Sequence, residues 1–329
     1  MTRVSMLMTA TRICAAIAVA ALCFGPAAAQ SDYPSKPVRI IVPSSAGGGT
    51  DTVARLLGQY LSEKMGQSFV IENRPGGGSA TGIEAAARAT PDGYTLVAVA
   101  STMTSLHIVR KTMRFDPVAD FAPITLAVSI PNVLVVHPSL SAKTFLEFVA
   151  LAKQEPGKLS FASPGLGSTT HMGMELLKNR LGLDLVHVPY NGVAPALTDV
   201  LGGRVPVMMV NTVAAKQHLD TKMLRALAIS TRNRSRIAPD IPTIAESGLP
   251  GYDVFQWFGI LAPANTPKEI VVRLSEEMRA GLATPKLQHW AETEGGDIVG
   301  STPEAFQKLI ADDVAKWTAV AKSAGIKAE

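Results

Sequence analysis

Three stretches of the chain place glycines beside hydroxyl, amide or carboxylate side chains where an extended apolar run gives way to a helical pattern. The first is Ser44-Ser45-Ala46-Gly47-Gly48-Gly49-Thr50-Asp51, which follows the run 38–42 and Pro43. The second is Asn73-Arg74-Pro75-Gly76-Gly77-Gly78-Ser79, and the third is Pro164-Gly165-Leu166-Gly167-Ser168-Thr169-Thr170-His171. A strand that passes through a glycine loop straight into a helix leaves backbone N–H groups unpaired at the positive end of the helix dipole. Such a turn is suited to holding an anion, a phosphate or a carboxylate.

Each stretch also has a plainer reading. The loop 44–51 could be a tight connection in which glycine supplies backbone freedom, Thr50 caps the helix and Asp51 is a first-turn carboxylate. Gly47-Gly48-Gly49 lacks the G-x-G-x-x-G spacing of a dinucleotide loop. In the third stretch Gly165 and Gly167 allow close backbone approach, and Ser168, Thr169 and Thr170 bring hydroxyls to a helix start. His171 beside them is either a donor to an anion or a structural histidine. Arg74 offers a guanidinium near the second loop, or is a surface arginine.

Signals for catalysis are sparse. The chain contains no G-x-S-x-G and no H-E-x-x-H, and its six histidines show no metal-ligand spacing. No metal and no cofactor are expected. Neutral hydroxyls and amides around helix starts suit binding a carboxylate better than transforming it. Two alternatives stand beside a binding protein: an exported hydrolase using Ser168 with His171, and a ligand-sensing module for a signalling partner.

The elements that must position these loops alternate between strand and helix. Apolar residues at 53, 56, 57, 60, 61 and 65 form one helical face ended by Gly66, and 69–71, 94–100, 159–162, 185–188, 205–210 and 224–229 read as strands. Further helices are expected near 81–89, 144–153, through 172–177, near 194–201 and from Thr266-Pro267 onward. Strands alternating with helices imply an α/β architecture with largely parallel pairing. The runs 124–136, interrupted by Pro131-Asn132, and 254–261 are extended and apolar. The last helices are expected to return to the first lobe, which makes these two runs a double crossover and hence a hinge. This gives an expected division into 1–29 as an export signal, 30–130 plus 254–329 as one lobe, and 131–253 as the other. Ligands of open α/β sheets lie beyond the carboxyl ends of the strands, so the glycine loops of the two lobes should face one another.

Composition narrows the setting. Residues 1–29 carry Arg3 and Arg12, then an apolar segment, then Ala27-Ala28-Ala29, the layout of a secretory signal cleaved near Ala29. The chain is therefore expected to be exported. Cys14 and Cys23 both fall in this segment, so the mature chain would have no thiol. Without Arg3 and Arg12 the 31 basic residues become 29 against 27 acidic, a net charge of about +2 that gives no reason to expect nucleic acid.

Several motifs then occur in order: Tyr33-Pro34-x-Lys36-Pro37-Val38-Arg39, Ala46-Gly47-Gly48-x-x-Asp51, Glu72-Asn73-Arg74-Pro75-Gly76-Gly77-Gly78 and Pro91-Asp92-Gly93-Tyr94. Val188-Pro189-Tyr190, Pro242-Thr243-x-x-Glu246-x-Gly248 and Trp257-Phe258-Gly259 follow. Over about 31–327 the chain closely resembles the Bug family, the extracytoplasmic solute receptors of tripartite tricarboxylate transporters. The resemblance implies a type II periplasmic-binding-protein fold, two lobes with mixed sheets joined by two extended crossover segments. It implies a non-enzymatic receptor, expected to be a monomer, that closes on a small carboxylate and delivers it to membrane permease subunits. It further implies ligand contacts from Ser44, Ala46, Gly47, Gly48 and Asp51 in the first lobe, and from Gly167, Ser168, Thr169 and His171 in the second. Ser101, Thr102, Tyr190 and Asn211 are further lining residues on the same grounds. Ser44-Ser45 stands where many relatives carry a bulky or aromatic residue, which bears on the distal part of the ligand.

Overall fold

The computed structural model describes residues 33–293 and 295–328; the expected export segment lies outside them. The chain divides into a unit of residues 1–35 and a unit of residues 36–329, and every element named below belongs to the second. In order these are β1 (Val38–Val42), α1 (Gly49–Met65), β2 (Phe69–Asn73), α2 (Ala80–Ala87), β3 (Thr95–Ala100), α3 (Leu106–Val109) and β4 (Phe121–Val136). There follow α4 (Phe145–Gln154), β5 (Ser160–Ser163), α5 (Thr169–Leu181), β6 (Val186–Pro189), α6 (Val193–Leu201), β7 (Val207–Asn211), α7 (Thr212–Asp220) and β8 (Arg225–Ile229). The chain closes with β9 (Phe255–Pro263), α8 (Lys268–Leu282), α9 (Pro285–Thr293), β10 (Asp297–Ile298) and α10 (Pro303–Ala324).

Local chemistry accounts for most boundaries. Helix α1 buries Val53, Leu57 and Leu61 and stops at Gly66, whose φ of 72° lets its N–H reach back to Ser62 O. Helix α4 begins with the expected cap: Thr144 Oγ1 accepts from the Glu147 N–H, and Glu147 returns a carboxylate oxygen to the Lys143 N–H. At α8 the start lies one residue later than Thr266-Pro267 suggests, because Thr266 Oγ1 donates to Pro263 O instead of capping.

The strand order is β2-β1-β3-β9-β4-β7-β5-β6, with β8 and β10 also on β4. β1, β2 and β3 are parallel, as are β5, β6 and β7, whereas β9 and β4 run antiparallel to their neighbours. The pairing is therefore mixed, and the expectation of largely parallel strands fails at the two crossover runs. Strand β4 is the physical join: its residues 121–131 pair with β9 and its residues 132–136 with β7. The return passage is marked by the Val254 N–H bonding Ser230 O immediately before β9.

Helix α10 departs from the expectation that the terminal helices stay with the first lobe. Phe306 and Ile310 lie in the core that holds Ile83, Val97 and Trp257. Trp317, Val320 and Ala321 lie instead in the second-lobe core, with Met172 and Leu177 of α5. A helix of 22 residues is roughly 33 Å long, enough to run from one core to the other. Between them Trp257 Nε1 donates to the buried Asp313 carboxylate at 3.0 Å.

Candidate ligand site between the lobes

In the first lobe Asp51 sits in the opening turn of α1 and is 2% exposed. Its carboxylate accepts from the Gly47 N–H at 2.9 Å, from Arg55 Nε at 2.9 Å and from Asn73 Nδ2 at 2.9 Å. The same Asn73 amide reaches Ser44 O at 3.1 Å, so one carboxylate ties β1, β2 and α1 together. The hydrogen bond from Arg55 lowers its pKa to about 2, helped by the Gly47 N–H and Asn73 and opposed by burial. The residue named as a ligand contact thus spends its acceptors on holding the loop. Gly47 needs its own residue type, since its φ is +91°.

The second-lobe loop is built the same way. Ser168 Oγ caps α5 by accepting from the His171 N–H at 3.2 Å. His171 Nδ1 accepts from the Gly167 N–H at 3.2 Å, which requires the neutral ring with its proton on Nε2. That ring is 1% exposed and stacks on His187, with centroids 4.0 Å apart. Burial, and then the charges of His187 and Lys178, push its pKa down to about 3. His187, bonded to Ser163 Oγ at 2.6 Å, is held at about 4 by burial and by Lys178. His171 therefore lies behind the loop. Its ring does not serve Ser168 as a base, because Nδ1 holds Gly167 and Nε2 lies 4.0 Å from Glu175.

The lobes meet where these strand ends approach one another. Ser101 Oγ and Thr169 Oγ1 are 2.7 Å apart and buried, and Ser105 Oγ donates to Gly167 O at 2.7 Å. Two cavities adjoin this contact. One, of about 480 Å³, lies between Gly77, Gly78 and Arg110 on one side and Pro164 to Ser168 on the other.

The second cavity, of about 180 Å³, is the more informative. Three helix starts border it: Ser168, Thr169 and Thr170 of α5, Val193 of α6, and Asn211, whose Oδ1 caps α7 by accepting from the Ala214 N–H. Thr102, Gln256, Asn132, Pro164 and Val210 complete the wall, and among the described residues no charged side chain lines it. Three positive helix ends with hydroxyls and amides between them favour an anion without a neutralising cation.

Of the residues read from the sequence, Thr102, Ser168, Thr169 and Asn211 line this cavity, and Gly167 lines the larger one. Ser101 closes the contact between the lobes. Ser44, Ala46, Gly47, Gly48 and Asp51 line neither cavity, and Ser44 Oγ is buried without a protein partner. Tyr190 also lines neither; its hydroxyl donates to Asp199 at 2.7 Å. Sequence reasoning missed Asn132, Gln256 and Val193. The interruption of an apolar run at Pro131-Asn132 was the available sign for the first.

Residues 53–326 match the sequence model of the tripartite tricarboxylate transporter family receptor. The chain belongs to that family. BugT of Bordetella pertussis is 34% identical over 325 residues, covering 97% of this chain and 99% of the relative. Among solved structures, Rpa4515 of R. palustris with adipate is 36% identical with a TM-score of 0.76, covering 90% of this chain and all (100%) of the other. MatC (Rpa3494) of Rhodopseudomonas palustris with bound malate is 29% identical with a TM-score of 0.72, covering 88% and 100% respectively. The two-lobed periplasmic-binding fold expected from the sequence is thus the fold of this family receptor. Among the described residues no helix is long and apolar enough to cross a membrane.

Proposed function

We propose that this family receptor is exported by its first 29 residues, captures a small carboxylate in the cavity between its lobes, and presents it to the membrane subunits of a tripartite transporter. The observation that carries the reading is the convergence of three helix starts, with hydroxyls and neutral amides, on one cavity. The carboxylates held by the adipate-bound and malate-bound relatives support the same ligand class. The lobes divide near 130/131 and 253/254, the chain acts as a monomer, and binding rather than turnover is its role. In support of the last point, Ser168 and His171 are committed to capping and loop support.

The test is mass spectrometry of small molecules released by denaturing the freshly purified protein. Thermal-shift screening of di- and tricarboxylates, aromatic acids and acidic amino acids on the refolded, emptied chain follows. A ligand at a hundred times its Kd should add ~2.7 kcal/mol of stability. Release of no organic acid, together with no stabilisation by any acid in the panel, refutes the reading.

A further inference from the structure

Asn132 is fully buried in β4, at the point where that strand passes from one lobe's sheet to the other's. Its backbone is satisfied, since its N–H donates to Ser230 Oγ at 3.1 Å and its carbonyl accepts from the Ser230 N–H at 2.8 Å. Its side chain is not: neither Nδ2 nor Oδ1 has a protein partner, although the residue lines the cavity between the helix starts. Three neighbouring polar atoms are already engaged. Asn211 Oδ1 caps α7, Ser230 Oγ donates to Val254 O, and Thr169 Oγ1 is paired with Ser101. Burying an amide with both ends unpaired is costly, and such groups in folded proteins are nearly always completed by something else.

What completes it must suit both ends. A carboxylate can only accept, so it would satisfy Nδ2 and set a negative oxygen against Oδ1. A neutral group that donates as well as accepts satisfies both, a carboxamide most fully and a hydroxyl nearly so. The rest of the wall agrees, because Gln256 and Thr102 are neutral and among the described residues no cationic side chain lines the cavity to meet a second charge. A site whose buried amide needs a partner rejects analogues that lack it more strongly than an apolar pocket rejects a missing methylene.

We propose that Asn132 is a specificity residue, selecting carboxylates that carry a neutral carboxamide or hydroxyl where a dicarboxylate carries its second charge. This rests on the carboxylate-receptor reading above, and the experiment separates the two. Calorimetry on the refolded, emptied protein compares succinate with succinamate and with 4-hydroxybutanoate, and adipate with adipamate. The neutral-group member of at least one set should bind about tenfold or more tightly than its parent acid, equivalent to about 1.4 kcal/mol. In Asn132→Leu that ratio should fall to about one. Parent dicarboxylates binding as well as or better than their partners in the wild type overturns the proposal without recourse to a variant. So does an unchanged ratio in a folded Asn132→Leu protein, the result expected if the amide is simply hydrated. Failure of every acid to bind the wild type instead removes the carboxylate reading and this proposal with it.

Discussion

Mild acid should destabilise the second lobe through its stacked histidines well before the carboxylates titrate. His171 is buried and neutral, with its pKa lowered from 6.5 to about 3, and His187 beside it is lowered to about 4. Because the unfolded chain binds these protons more readily, the stability they confer is complete above about pH 6.5 and is lost as the pH falls toward the folded values. Two pH units below 6.5 therefore cost about 3 kcal/mol through His171 alone, at about 1.4 kcal/mol per unit. His187 is only half-buried, so solvent screening makes its addition smaller. His107 shifts in the same direction by burial. The shifted carboxylates act lower: Asp51 and Asp199 depart from 3.8 and Glu246 from 4.5, all downward. The window from 6.5 to 4.5 thus belongs to the histidines. Urea unfolding at half-unit steps across it reads the slope directly. The control is His171→Asn, whose Oδ1 can accept the Gly167 N–H but cannot titrate; its slope should drop by about half or more. A wild-type stability flat to within about 0.5 kcal/mol over that window, or an equal slope in the variant, refutes the reasoning.

Three further outcomes follow from the loops and the helix that spans the cores. In calorimetry with an acid that the thermal-shift screen finds to bind, Gly167→Val should lose more affinity than Gly47→Val, and both more than Asp51→Asn. At Gly167 a φ of +74° combines with a Cβ placed 2.7 Å from Val109 Cγ1, whereas Gly47 is strained without a clash; equal losses in three folded variants would contradict the ranking. Ser101→Ala should lower stability by about 1 kcal/mol, since it leaves Thr169 Oγ1 buried without its partner, and urea midpoints measure it. Trp317→Ala should cost about 3–5 kcal/mol, because this end of α10 fills the second-lobe core; a loss below 1 kcal/mol in chemical unfolding would mean that the helix merely rests against that lobe.

Glycine spacing, apolar runs and cap signals made much of the fold legible, and the places that escaped share a physical cause. Helix α7 follows Asn211 with no intervening loop, and its polar sequence Thr-Val-Ala-Ala-Lys-Gln-His-Leu-Asp buries few positions, so neither punctuation nor periodicity marks it. Helix α10 shows an amphipathic face, but nothing local in it says which core each half will meet. Of the candidate site, the second-lobe loop was legible, whereas the first-lobe loop 44–51 lines neither cavity and side-chain direction was not legible. His171 beside three hydroxyls reads as a ligand contact, yet its ring is turned inward by its stack on His187 and Phe161. Asn132 shows as a break in an apolar run, but its unpaired amide depends on Ser230 and Asn211, far along the chain.

The two lobes hold their loops by one device with different chemistry at its centre. In each, the third residue of the helix accepts from the N–H of a glycine four positions earlier: Asp51 from Gly47, and His171 from Gly167. The glycine takes a positive φ in both cases, +91° and +74°, so the acceptor fixes a conformation that glycine alone would leave loose. Asp51 keeps its lone pairs until its carboxyl protonates near 2, while His171 loses its acceptor on protonation at a higher pH. Acid should therefore undo the second-lobe loop first, including the Gly167 carbonyl that Ser105 holds and the Ser168 cap at the cavity wall. Between pH 6.5 and 4.5 the folded ring stays neutral, so affinity for the carboxylate should hold while stability falls, and should drop only as the pH approaches about 3. In His171→Asn that drop near pH 3 should be smaller, the ligand's own titration acting equally on both proteins. A wild-type affinity that falls in step with stability between pH 6.5 and 4.5, or a drop near pH 3 that His171→Asn shares in full, would refute this account of the loop.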